Sequence, residues 1–390
     1  MFDIKAEVGN IYNEIVAHRR KIHAFPELSF KEYKTSEYIK SVLDNLGIEH
    51  KSFVKTGVTA TIGIAGKCIG IRADMDALPI EEETGLAFSS ENKGVMHACG
   101  HDMHTAMLLG AAKIFKSHES ELGGQIKLIF QPGEESLPGG AKLMIDEGAL
   151  DAPKPNIIIA QHINPELEVG TIGLKAGPIM ASCDEFYLTI KAKGSHAAQP
   201  HLGTDAILSA AQIIIYIQTI MTKFRNPLDP GVITVASVHG GSAPNIYPEE
   251  VKLCGTIRTF SSELRTTIKE VLKSKLPEIC SLYNTECDLR LDEGYPPVIN
   301  SRSVAETLFQ SAGKLVGNDK VFDVEAKMWA EDFSYFSETV PSVFWFTGVR
   351  PKGMTSMPAL HNPRLSPEEE ALKIGAEMMV QSALDLLNEV

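Results

Sequence analysis

Three short apolar runs bounded by turn-forming or polar residues limit what this chain can become: Gln125–Phe130 (QIKLIF), Asn156–Ala160 (NIIIA) and Ser342–Thr347 (SVFWFT). Runs of strand length with little polar alternation are strands buried on both faces. Val58–Ile64 and Cys68–Ala73 add two more around the turn Ala65-Gly66-Lys67. Helical patterns lie between them. Ile4, Val8, Ile11, Ile15 and Ile22 recur at helical spacing, Thr35–Leu46 ends at Gly47, and a helix opened by Asp102 runs to about Lys116. Gly140–Glu147, Ser303–Val316 and Glu368–Asn388 are further helices, the last preceded by Ser366-Pro367 as cap and first helical position. Strands alternating with helices give an α/β fold whose sheet is mixed, mostly parallel and sandwiched by helices.

The pattern changes near residue 184. Asp184–Lys193 alternates apolar and polar residues as a half-exposed strand does, and Thr204–Lys223 is a long helix. Strands Gly231–His239 and Val251–Phe260, helix Ser262–Cys280 capped by Ser262, and strand Glu286–Leu291 follow. That order, βαββαβ, is ferredoxin-like. After about Pro296 the first pattern resumes. We therefore expect one α/β domain, residues 1–183 and 295–390, interrupted by an inserted domain, 184–294, with Gly177-Pro178 and Gly294–Pro297 bringing the crossings together.

Charge narrows the partners. Lys and Arg number 37 against 50 Asp and Glu, a net charge of −13 over 390 residues, and no basic cluster stands out, which argues against nucleic acid and anionic membranes. The N-terminal stretch has no apolar signal core and no run of about 18 apolar residues occurs, so neither export nor a membrane span is expected. Six unevenly spaced cysteines without a CxxC pair do not form a disulfide framework, which suits a reducing cytoplasm.

Polar residues gather just past the C-terminal ends of the first domain's strands, the edge at which open α/β sheets bind ligands. Asp74 and Asp76 follow one strand, Gln131–Glu135 another, and Gln161-His162 a third, while Ser342–Thr347 precedes the loop of His361. The densest segment is His97–His104, with three His and Cys99 in eight residues. Thiolate and imidazole suit zinc and similar divalent ions. A His-rich helix start without a metal is the competing reading there, a solvated acidic loop competes at Glu134-Glu135, and core histidines compete at His162 and His361. Taken together, Cys99, His101, Glu135, His162 and His361 all fall at loops on one edge. Five donors exceed one tetrahedral site and suggest two metals sharing a water for hydrolysis, with Glu134 moving its proton. His104, on the helix, is expected behind the donors. A hydrolase with Cys99 as nucleophile would leave Glu135, His162 and His361 without use, and a metal store would not need Glu134.

Long motifs in order carry a family resemblance over nearly the whole chain: His18–Arg20 with His23–Ser29, Arg72–Pro79, His97–His104, Gln131–Glu135, Gly177–Ser182, Gly194–His201, Asn245, Gly255–Arg258, Glu331–Phe333 and Leu360–Pro363. The chain resembles the dinuclear metallo-amidohydrolases of the aminoacylase, hippurate hydrolase and auxin-conjugate hydrolase group, relatives of carboxypeptidase-G-type metallopeptidases. The resemblance implies a zinc-exopeptidase-like catalytic domain with an inserted lid and dimerisation domain, and a homodimer or higher oligomer. It implies two divalent ions (zinc, manganese, cobalt or nickel) on Cys99, His101, Glu135, His162 and His361. Glu134 matches the general base, and Asp76 the acid that orients the site. His196, Asn245 and Arg258 match residues facing the substrate, Arg258 pairing with its carboxylate and His196, often supplied across a dimer, polarising the scissile carbonyl. The implied reaction is amide hydrolysis of N-acyl or N-aroyl amino acids, with a metallo-dipeptidase or carboxypeptidase as the alternative. Asp74 replaces a His ligand of related peptidases, as in the Cys-containing branch. Gln161 and Ala197 depart from commoner residues and bear on substrate rather than on reaction class.

Overall fold

The computed structural model describes residues 2–389 and divides into two compact units, one made of the chain up to Ile179, Ile299–Glu325 and everything from Asp332 on, the other of Met180–Val298 with Ala326–Glu331. The chain begins with α1 (Ile4–Ala24), α2 (Tyr33–Asn45), β1 (His50–Phe53), β2 (Gly57–Ile62), β3 (Cys68–Asp74), α3 (His101–Ser117), β4 (Gln125–Gln131), α4 (Gly140–Asp146), β5 (Ile157–Glu168), β6 (Ile172–Leu174) and β7 (Gly177–Met180). The second unit holds β8 (Asp184–Lys191), β9 (Ser195–His196), α5 (Ala206–Lys223), β10 (Gly231–Gly240), β11 (Ile246–Tyr247), β12 (Glu250–Thr259), α6 (Ser262–Leu282) and β13 (Glu286–Glu293). The return comprises β14 (Val298–Asn300), α7 (Arg302–Val316), β15 (Val321–Asp323), α8 (Ser334–Thr339), β16 (Ser342–Arg350) and α9 (Glu370–Asn388).

An eight-stranded mixed sheet, ordered β1-β2-β4-β3-β5-β16-β6-β15, organises the first unit. Its four central strands are mutually parallel. All seven residues of β3 are buried, as are the first nine of β5, so neither face of these strands meets water. In β16 the alternation divides the two faces. Val343 and Trp345 join the core shared with α1, α3 and α9, whereas Phe344 packs on Phe333 with ring centroids 5.4 Å apart. Each such side chain contributes about 1.5–3 kcal/mol of burial, so the central strands anchor the site that rises from their ends.

Some element boundaries differ from those the sequence suggests. The final helix starts at Glu370 rather than at Pro367, because Glu368 N–H is drawn to Val349 O (3.1 Å) and Pro367 O accepts from the buried Arg19 guanidinium (3.3 Å). The cap of α6 is Ser261, whose hydroxyl accepts from Leu264 N–H, not Ser262. Strand β5 continues through His162 to Glu168, so His162 stands inside a strand rather than in a loop.

In the second unit a fully antiparallel sheet, ordered β10-β12-β8-β13, carries α5 and α6. The first and last strands of its βαββαβ core are neighbours, as in split βαβ folds. Phe186, Leu188, Leu253 and Ile257 from the sheet meet Ile213, Ile217, Ile268 and Leu272 from the helices. Cys183 N–H donates to Tyr295 O (2.9 Å), and Asp184 accepts two bonds from Arg265 (2.7 Å each), which also reaches Gly294 O. Entry and exit of this unit are thereby tied side by side. Helix α5 is long and apolar enough to cross a membrane by length and composition, which the sequence reading did not anticipate, but its Ala210, Ile213 and Ile217 belong to this unit's core.

Candidate metal centre

The first unit brings Cys99, His101, Glu135, His162 and His361 together from four chain segments, although two sit outside loops or at their limits: His101 is the first residue of α3 and His162 is within β5. Cys99, His101 and His162 have donor atoms within 4.8 Å of one another, and so do Cys99, Glu135 and His361. A third such group joins His101, Glu134 and Glu135. Local backbone makes this possible. Gly100 adopts φ +88°, and a Cβ there would lie 2.3 Å from Ile163 Cδ1, so the turn between Cys99 and His101 requires glycine. His361 itself has φ +64°, uncommon for a non-glycine residue, and its N–H is fastened to Ala98 O at 2.8 Å.

Hydrogen bonds on the far ring nitrogens fix how the imidazoles face inward. His162 Nδ1 lies 2.7 Å from Ile163 O; a carbonyl only accepts, so Nδ1 carries the proton and Nε2 offers a lone pair 3.3 Å from Cys99 Sγ. Burial holds this imidazole neutral, well below the ordinary range, with His104 acting in the same direction. His101 Nδ1 is held by Asp76 Oδ1 at 3.2 Å, leaving Nε2 buried with no hydrogen-bond partner. Glu135 Oε1 is a second buried orphan, 3.9 Å from His101 Nε2 and 3.3 Å from His361 Nε2. Orphaned buried polar atoms are rare in folded proteins. Two of them, beside a thiol and a free imidazole lone pair, fit the soft and borderline donor set of a divalent metal.

The electrostatics agree. Burial opposes a charge on His101, yet Asp74, Asp76 and Glu135 outweigh it and push the imidazole up to about 10. Burial, then Glu135 and Glu134, drive the Cys99 thiol well above its ordinary value. Both effects describe a place of strong negative potential that a cation would relieve, releasing protons from His101 and Cys99 as it bound.

Behind these donors stands a layer that only partly stood out in the sequence. Asp76 accepts from Ser29 Oγ (2.6 Å) and Glu135 N–H (3.0 Å) besides holding His101. His104 is satisfied entirely by protein, with Nδ1 on Asp74 (2.6 Å) and Nε2 accepting from Ile163 N–H (2.9 Å). Arg72 ties Asp74 to Asp332 at 2.7 and 3.0 Å. Asp102 does not open α3. Gly100 stands at the cap position, and Asp102 turns to Arg19 (3.2 Å) and His23 (2.9 Å), because buried cations bind a carboxylate more strongly than backbone N–H groups do. His97 is buried with both ring nitrogens unbonded and is held down to about 4 by burial.

The remaining sequence candidates lie in the second unit. His196 pairs with Ile246 across the β9–β11 ribbon, and Ala197 N–H donates to Asn245 O at 2.9 Å, which places His196 and Asn245 together beside an open hollow lined by Ser195 and Tyr247. Arg258 is on β12, half-buried, with Nη1 on Ile257 O (3.1 Å) and Thr256 Oγ1. No carboxylate among the described residues pairs with it.

Residues 70–385 match the profile of Peptidase family M20/M25/M40. The chain belongs to this family. It is 38% identical over 384 residues to an N-acetyl-L-cysteine deacetylase of Bacillus subtilis (strain 168), covering 98% of this chain and 90% of that protein. It is 36% identical over 383 residues to thermostable carboxypeptidase 1 of Saccharolobus solfataricus, covering 96% and 95%. Among solved structures, a dinuclear metal-binding peptidase of the M20 family from Bacillus subtilis superposes with a TM-score of 0.85 at 32% identity, covering 98% of this chain and 100% of that one. Membership makes the protein a metal-dependent hydrolase of amide bonds.

Two outcomes test this geometry. Cys99→Ala, which removes the atom common to two donor groups, should bind less metal than the unaltered protein by elemental analysis; full occupancy refutes the placement. His23 is pushed up to about 9 by Asp102 and Glu82 despite opposing burial. Its folded-state value lies above the ordinary 6.5, so its stabilisation is complete below pH 6.5 and is lost as pH rises through 9. His23→Gln should flatten the decline of thermal stability across that window, and an unchanged slope would count against the His23–Asp102 pair.

Proposed function

We propose that the protein hydrolyses the amide bond of N-acyl amino acids, releasing a carboxylic acid and a free amino acid. The observation that carries the reading is the convergence of two buried orphan atoms, His101 Nε2 and Glu135 Oε1, with Cys99, His162 and His361 in two donor groups sharing Cys99. We assign these five residues as ligands of two divalent ions. When bound, such ions polarise an amide carbonyl and make water acidic near neutral pH. Glu134, buried next to Glu135 within the His101 donor group, is placed to take the attacking water's proton and return it to the leaving nitrogen. Asp76 orients His101 through Nδ1 and holds the Glu135 backbone at the same time.

For the substrate we assign His196 and Asn245 to the scissile carbonyl and Arg258 to the free carboxylate of the amino acid. The guanidinium of Arg258, which no carboxylate among the described residues pairs with, suits a planar carboxylate. The N-acetylcysteine-deacetylating relative supports an acyl amino acid, and the Saccharolobus carboxypeptidase supports small peptides as a second substrate class. Both cleave the same kind of bond. The six free cysteines suit a reducing cytoplasm.

We further propose a homodimer formed through the second unit. Strand β10 is an edge of its sheet, with Val232 and Val238 more than 40% exposed, and on α5 Ile207, Leu208 and Ile215 are exposed as well. An unprotected edge strand beside outward apolar side chains is a surface for pairing.

Glu134→Gln should lower kcat on a hydrolysed N-acyl amino acid by about 10³-fold or more with metal content intact, and near-normal turnover would sink the mechanism. Light scattering should give a dimer that Val238→Glu together with Ile215→Lys converts to monomer; a monomeric unaltered protein would overturn the assembly.

A further inference from the structure

Glu32 is fully buried and stands at the cap position of α2, yet its side chain caps nothing. Its oxygens turn instead toward the turn that carries Glu134 and Glu135. Oε1 accepts from Gly133 N–H and from Phe30 N–H, both at 2.8 Å, and Oε2 accepts from Thr56 Oγ1 at 2.8 Å. Phe30 adopts φ +62° and lays its ring over Gly133, where a Cβ would come within 2.4 Å of the ring. Ser29 completes the grip from the other side through Asp76, which takes Glu135 N–H. The backbone N–H groups on either side of Glu134 are therefore each held by a buried carboxylate attached, directly or through a hydroxyl, to Ser29–Glu32.

We infer that Glu32 is a positioning residue, clamping the Gly133–Glu135 turn so that Glu134 and Glu135 are presented at one fixed height and angle. The inference rests on the assignment of those two carboxylates to the reaction. Burial, with Asp76 adding to it, raises the Glu32 carboxyl to about 7 against the hydrogen bonds it accepts. A group held at that cost is retained for what it binds. What it supplies is hydrogen-bond acceptance at Oε1, which a neutral carboxyl or an amide supplies equally. That separates a clamp from a charge effect.

The test uses the metal-loaded enzyme. Glu32→Ala should lower kcat by about 30- to 100-fold, the cost of a misplacement near 1 Å, with KM within about threefold and the metal-to-protein ratio unchanged. Glu32→Gln should recover kcat to within about fivefold of the unaltered enzyme, because its amide oxygen still accepts from Gly133. Hydrogen exchange read by mass spectrometry over residues 131–136 should quicken in Glu32→Ala and not in Glu32→Gln, with or without metal. Glu32→Met, which keeps volume and removes the acceptor, takes the place of the Ala variant if that one does not fold. Equal loss in the Gln and Ala variants, or unaltered kcat and exchange in Ala or Met, overturns the clamp. Glu134→Gln measured alongside keeps the two ideas apart. Full turnover in it overturns the assignment underneath, whereas its loss together with a fully active Glu32→Ala overturns the clamp alone.

Discussion

A carboxylate taken out of water needs a cation or several hydrogen-bond donors to remain charged, and this fold gathers such groups at one edge of one sheet. Asp74, Asp76 and Glu134 are buried at the ends of β3 and β4, with Glu135 half-buried beside them. Arg72 compensates Asp74 and Asp332, and Arg19 with His23 compensates Asp102. His101 meets the remainder as well as one imidazole can. The arrangement thus has protein cations for its outer acids and a deficit of positive charge at its centre. A metalloenzyme needs that gradient: the outer acids are compensated by protein cations, and the centre is left for a metal to compensate.

The supporting contacts follow from the parallel sheet. Parallel strands end on the same edge, so Asp74 at the end of β3, the turn after β4 and His162 within β5 become neighbours without any long excursion of the chain. Helix α3 then crosses behind them, and His104 on its first turn binds both Asp74 and Ile163 N–H. One side chain thereby links two strands and the helix, while Cys99, Glu135 and His361 sit on the short segments between elements.

Much of this was legible in the sequence. Apolar runs marked β3, β4, β5 and β16, the breakers after them marked the edge, and the density of His and Cys in His97–His104 pointed to a donor site, of which Cys99 and His101 stand in one donor group. The placement of His104 behind the donors followed from helix spacing. What escaped was whatever depended on partners distant in sequence. Asp102 looked like a helix cap because local chemistry allows it, and only the fold brings Arg19 and His23 to it. Ser29 was visible as the last member of a long motif, but Glu32 was not singled out, because nothing local says that an acid before a helix will turn away toward residue 133. The overreach of β5 past Ala160 had the same origin, since its later residues are held in strand form by pairing with β16, Thr347 against Ile163 and Gly348 against Asn164.

The interruption of the first unit has a consequence for how the molecule is made. β16 lies in the middle of the main sheet, between β5 and β6, and His361 follows it, yet both come after the whole second unit in the chain. A polypeptide emerging from its N-terminus therefore exposes the flank of β5, with Cys99, His101 and His162 already translated, for as long as the second unit takes to appear. That unit has its own core, built from strands and helices contiguous in the chain, as expected of a domain that folds as a unit. The sheet closes and the last imidazole arrives only near the end of synthesis. A truncated product would lack both, so it would carry an open β5 edge and a donor set without His361.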